Sequence, residues 1–176
     1  MVSVRELKGK PRGGRRYFRA LVRWPERVDV RFGDDAWYDL WHVHPDFRGW
    51  STGGSKARQA HLTVLFAAFR RILAQAAAYE GPAQVFVSVN SKDSPGDALY
   101  VHTPNPNGSS FPWEFESYRW DDVQVPEWLG RHLDEQLEVG ETVFEGEIRY
   151  VVVPRGPRGR GATRQVLHAD GVSSLE

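Results

Sequence analysis

Residues 55–80 contain no proline and no glycine, and within them Leu62, Leu65, Phe66, Phe69, Ile72, Leu73 and Ala76 recur at three- and four-residue intervals. An uninterrupted run of this length, rich in Ala, Leu and Arg, is one long amphipathic helix. Ser55 stands where an N-cap belongs, and Gly81-Pro82 stops the run. Burying four or five of these side chains contributes on the order of 10 kcal/mol before chain entropy is subtracted. The helix is therefore the organiser of the core, and at 176 residues the chain has the length for one such core.

The segments around it alternate at the strand period. Tyr17–Trp24 and Arg27–Phe32 interleave arginines and aspartates with aromatic and β-branched residues, and Trp24-Pro25-Glu26 reads as the turn between two strands. Trp37–His44 is a third strand ended by Pro45. Gln84–Asn90 and Ala98–Thr103 form a hairpin around the polar residues 91–97. Residues 103–110, with two prolines and an Asn-Gly pair, make a long loop. A short aromatic run, Trp113–Trp120, leads to a second helix over 126–137, with Pro126 at its start and Gly140 past its end; Thr142–Val153 is the last strand. This order gives an α+β fold, a mostly antiparallel sheet with one long helix packed on a face and a second shorter helix. Residues 1–16 read as a basic flexible arm, 17–153 as a single α+β domain and 154–176 as a basic low-complexity tail.

The absence of cysteine excludes a disulfide framework, a thiolate nucleophile and cysteine-based metal sites, so any metal must be held by histidine and carboxylate. No apolar run reaches membrane-spanning length and no apolar leader opens the chain, which implies a cytoplasmic protein. The formal net charge is zero, but it is segregated: residues 1–80 carry +7, residues 81–153 carry −9 and residues 154–176 carry +2. That distribution points away from nucleic acid, whose ligands are usually positive throughout, and toward one acidic face.

Four constellations bear on chemistry. His42-Val43-His44-Pro45-Asp46 puts two imidazoles at i and i+2 of a strand, on one side, where they can share a metal with Asp46; His61 and His102 are further donors if the fold brings them near. Gly49–Ser55 precedes the long helix, so its backbone donors, with Lys56 and Arg58, are placed for a phosphate, although P-loop spacing is absent. Between Glu114 and Glu147 there are 11 carboxylates against Arg119 and Arg131, interleaved with Trp113, Phe115, Tyr118, Trp120 and Trp128. Carboxylates attract a basic partner over distance, and aromatic anchors supply burial energy on contact. The basic ends, residues 8–19 and 155–164, are solvated termini with little stacking surface for nucleic acid.

The stretch from Trp37 to Asp46, with Arg58, His61 and the later Tyr100–Asn107, resembles the immunity proteins that accompany bacterial polymorphic and contact-dependent toxins. The resemblance implies a cytoplasmic, non-enzymatic antidote that covers a toxin domain, and these families share no catalytic residues to carry over. The expectation is therefore a protein-binding module without a cofactor. It meets a basic protein, away from membranes, through Glu114, Glu116, Trp120, Asp121, Asp122, Trp128, Asp134, Glu135, Glu138 and Glu141. The alternative is a metal-dependent hydrolase on His42, His44 and Asp46.

Overall fold

The long helix, α2, runs from Lys56 to Ala77, as its uninterrupted apolar spacing requires. A computed structural model describes it together with residues 22–33, 36–42, 58–81, 83–91, 97–103 and 117–155. Around it lie a helical turn over 22–27 (α1), β1 (Ala36–His42), β2 (Gln84–Asn90), β3 (Ala98–Thr103), α3 (Glu127–Gly130), β4 (Leu137–Phe144) and β5 (Glu147–Pro154). The strands form one sheet in the order β1-β3-β2-β5-β4, and every neighbouring pair is antiparallel. The α+β architecture, with α2 on one face of an antiparallel sheet, is the one the sequence implies.

Side-chain alternation sorts the sheet into two faces. Val85, Val87 and Val89 of β2, Leu99 and Val101 of β3, Leu137 and Val139 of β4, and Tyr150 and Val152 of β5 join Leu62, Leu65, Phe66, Phe69 and Ile72 of α2 in the main core. Phe86, Val151 and Val153 point the other way and pack with Tyr100, Tyr118 and Trp120. The helix is buried over more than one stripe, because Val64, Phe66 and Ala68 are covered as well as the sheet-facing positions. Two flanking segments also belong to the main core, Trp24, Val28 and Val30 before β1, and Leu129 of α3 with Leu133 beyond it.

Three expectations are corrected. The paired strands over Tyr17–Trp24 and Arg27–Phe32 are not what residues 22–33 form: 22–27 is helical, closed by Val28 N–H donating to the Trp24 carbonyl at 3.1 Å, and 28–33 belongs to no strand. The alternation there is genuine, with Val28 and Val30 buried and Asp29 and Arg31 exposed, but the extended chain lies on α2 instead of in a ladder. Helix side chains take over the role of a neighbouring strand: Gln75 Oε1 accepts from Val30 N–H at 3.1 Å, while Gln75 Nε2 and Arg71 Nε donate to the Val28 carbonyl at 2.9 and 2.8 Å.

The second correction is the helix over 126–137, which is only four residues long. Pro126 caps it in extended conformation, and after Arg131 a turn built on Asp134, whose Oδ1 accepts from Gln136 N–H, directs the chain into β4 at Leu137. The third is the single last strand, which is a hairpin of two. Glu145 and Gly146 both have positive φ, 50° and 78°, and this two-residue turn matches the twist of β4 and β5. Gly140, expected beyond a helix, lies mid-strand under the Trp120 indole, where an added Cβ would meet the ring at 3.1 Å.

Replacing Gln75 by Leu removes the acceptor of the Val30 amide and leaves the Val28 carbonyl to Arg71 alone, without opening a large cavity. It should cost about 1–3 kcal/mol by urea denaturation and deprotect the Val30 amide selectively in hydrogen exchange. Unchanged stability would show that residues 28–30 are held by apolar contact alone.

Candidate functional site

The acidic segment is built along one edge of the sheet. β4 is the edge strand, with β5 on its inner side, and a two-way backbone bridge to Arg119 lies on the outer side at Glu141: Arg119 N–H donates to the Glu141 carbonyl at 2.7 Å and Glu141 N–H to the Arg119 carbonyl at 2.8 Å. The Arg119 guanidinium also pairs with the Glu141 carboxylate. From that bridge Trp120 turns over Gly140, and Asp121 and Asp122 stand exposed, Asp122 at φ 58°. The chain then reaches α3, whose Leu129 is fully buried and whose Trp128 sits edge-on to Tyr150, centroids 5.9 Å apart, with the Arg58 guanidinium 5.9 Å from its ring.

Beyond α3 the chain is fixed to α2. Arg70 Nη2 donates to the His132 carbonyl at 2.8 Å and reaches Asp134 Oδ2 at 3.2 Å, while the His132 ring lies flat on Phe66, 5.0 Å between centroids. Next to this contact a groove of about 710 Å³ opens between α2 and the start of β4. Ala74, Ala77, Ala83 and Val85 help line it, and Asp134 and Glu135 contribute carboxylates.

Eight of the ten residues expected to meet a partner lie among the described residues, with Trp120 packed on one face of the sheet and Trp128 on the other. Asp121, Asp122, Asp134 and Glu135 are exposed and Glu138 is half-buried. Glu141 pairs with Arg119, and Asp134 with Arg70. Trp120 and Trp128 are half-buried and packed inward, so they hold the flank in place and present only part of each ring. Glu114 and Glu116 lie outside the described residues.

The histidines do not converge along the sheet. His42 stands opposite Ala98 and His102 opposite Trp37, four residues apart on β3 or roughly 13 Å. His102 Nδ1 faces Gln84 Oε1 at 3.3 Å. His61 lies in the core on α2. His44 and Asp46 fall outside the described residues, and among the described residues no three His, Asp or Glu side chains gather as metal ligands. No helix among them is long and apolar enough to cross a membrane.

The most demanding electrostatic feature is a cluster that spacing alone does not reveal. Arg58, read as a phosphate contact in the first turns of the helix, instead forms a buried pair with Asp97, their side chains 5% and 1% exposed. Its Nη2 donates to Asp97 Oδ1 at 2.7 Å and to the Asn90 carbonyl at 3.0 Å, and Asp97 Oδ1 also accepts from Asn90 N–H at 3.2 Å. One guanidinium thereby joins α2 to the end of β2 and the start of β3. Asp97 sits in a polar loop by sequence, and only its adjacency to the apolar Ala98-Leu99 run signals an inward position. His61, one turn from Arg58, is held at about 3 by burial, with the Arg58 charge adding to the effect. Burial, followed by the Glu141 charge, raises the Tyr150 phenol.

These features define an antiparallel α+β protein with an acidic flank. No family model, curated protein or solved structure matches the chain.

The unfolded chain carries His61 at its ordinary 6.5, whereas the fold keeps it neutral down to about 3, so below 6.5 the unfolded state binds a proton the native state refuses. Stability should fall as pH drops. Between about pH 6.5 and 5 the loss should be about 1–2 kcal/mol greater than in His61→Leu, by urea denaturation at each pH. Equal slopes in the two proteins would contradict this role for His61.

Proposed function

We propose that the protein is a non-enzymatic binding module of the toxin-immunity kind, which docks a basic protein partner on the flank built by residues 119–147. The observation that carries this reading is the charge of that segment: nine carboxylates from Asp121 to Glu147 against Arg119 and Arg131, three of them on the edge strand β4 and its turn, Glu138, Glu141 and Glu145. Val125 and Val143, two exposed large apolar side chains, stand among them at 38% and 67% exposure. Carboxylates around isolated apolar contact points suit a surface that attracts its partner by charge and then buries a small apolar centre. The groove beside Asp134 and Glu135 extends that surface with an apolar lining. The cytoplasmic setting and the toxin partner come from the sequence resemblance, and the basic character of the partner from the charge.

Glu127 and Glu135 are both exposed, which makes Glu127→Lys with Glu135→Lys a test that leaves the core intact. In affinity capture the wild-type chain should retain a basic protein at low salt and release it at high salt. The double variant should associate about ten-fold more slowly or more. Equal, salt-insensitive retention by both chains would overturn the reading.

A further inference from the structure

The segment from α3 onward carries part of the acidic residues, and Trp128, Leu129 and Leu133 seat it against the core that α2 organises. Leu129 is buried in the core, Arg70 bonds the His132 carbonyl and Asp134, and between these points the imidazole of His132 is stacked on Phe66 with only 9° between the ring planes. Nε2 of His132 is buried and has no hydrogen-bond partner among the described residues. A neutral imidazole tolerates that setting; an imidazolium would bring an unsatisfied N–H into it. The charges that act on the ring are Arg70 from α2 and Arg131 at the end of α3, paired in turn with Asp134 and Glu127. Both carboxylates are already committed, Asp134 to Arg70 and Glu127 to Arg131, so the surroundings repel a third cation.

We propose that His132 is an acid-sensitive latch that fastens residues 127–136 to α2 when neutral and releases them when protonated. Burial, then Arg70, then Arg131 hold this imidazole below its ordinary 6.5. The released segment has the ordinary value, so acidification below 6.5 favours release. Release would displace Glu127, Asp134 and Glu135 from the flank and weaken docking; that consequence rests on the function proposed above, whereas the latch does not.

Site-resolved hydrogen exchange of the whole chain, expressed as protection factors at about pH 7.5 and about pH 5.5, tests the latch. With His61→Leu in the background to remove the chain-wide acid destabilisation, the expected result is a loss of protection of about three- to ten-fold in residues 127–136 that α2 and β2 do not share. His132→Phe, which keeps a ring on Phe66, and His132→Gln, which keeps polarity, should both abolish the local pH dependence. Protection in 127–136 that is unchanged on acidification, or lost equally throughout the chain, would overturn the latch, as would retention of the local effect in both variants. A local loss with no accompanying fall in affinity for a captured partner would support the latch and contradict docking on this flank.

Discussion

The architecture depends on α2 being buried on more sides than a sheet can cover. Phe66 and Ala68 are as inaccessible as the sheet-facing Leu62, Phe69 and Ile72, and Val64 is buried too, so a single layer of strands beneath the helix would leave large apolar area in water. The chain supplies the additional cover from two directions. Residues 24–30 bond to Gln75 and Arg71, while α3 and the residues after it approach through Phe66 and Arg70. Each cover brings exposed backbone, and in each case long polar side chains of α2 satisfy it.

The same arrangement separates the charges. The helix lies over the sheet centre, and the segment that must reach its Phe66 side begins at the Arg119–Glu141 bridge on the β4 edge. Glu138 and Glu141 lie on the β4 edge and Glu145 in its turn, while Asp134 pairs with Arg70 of α2 and Glu147 accepts from Asn90 of β2. Like charges concentrated this way weaken the fold by mutual repulsion, offset locally by Arg70, Arg119 and Arg131. The buried Arg58–Asp97 pair at the N-terminal half of α2 has a different role: with so little solvent near either group, it is costly to break and fixes where the β2–β3 hairpin meets the helix.

Much of this was legible where one period dominated. Lys56–Ala77, Gln84–Asn90 and Ala98–Thr103 follow directly from their spacing. Alternation over 28–32 correctly signalled extended chain with one buried side, yet it cannot distinguish a strand from a segment whose backbone is satisfied by Gln75. The β4–β5 hairpin was hidden because its turn is Glu145-Gly146, whose first residue adopts positive φ without being Asn, Asp or Gly. Pro126 and Gly140 as start and stop signals imply a longer helix, which the Asp134 turn ends early. The acidic flank was countable from sequence. The placement of Glu138 and Glu141 on the edge strand, the inward packing of Trp120 and Trp128, and the distance between His42 and His102 all depend on strand register, which no local pattern encodes.

Nuclear Overhauser contacts to α2 give the most direct test of its three-sided burial. The account predicts contacts from the Gln75 side-chain amide to Val28 and Val30 on one flank, and from the Phe66 ring to the His132 imidazole on the other, in the same folded population. A stable α2 that shows its sheet contacts but lacks either flanking set would contradict it.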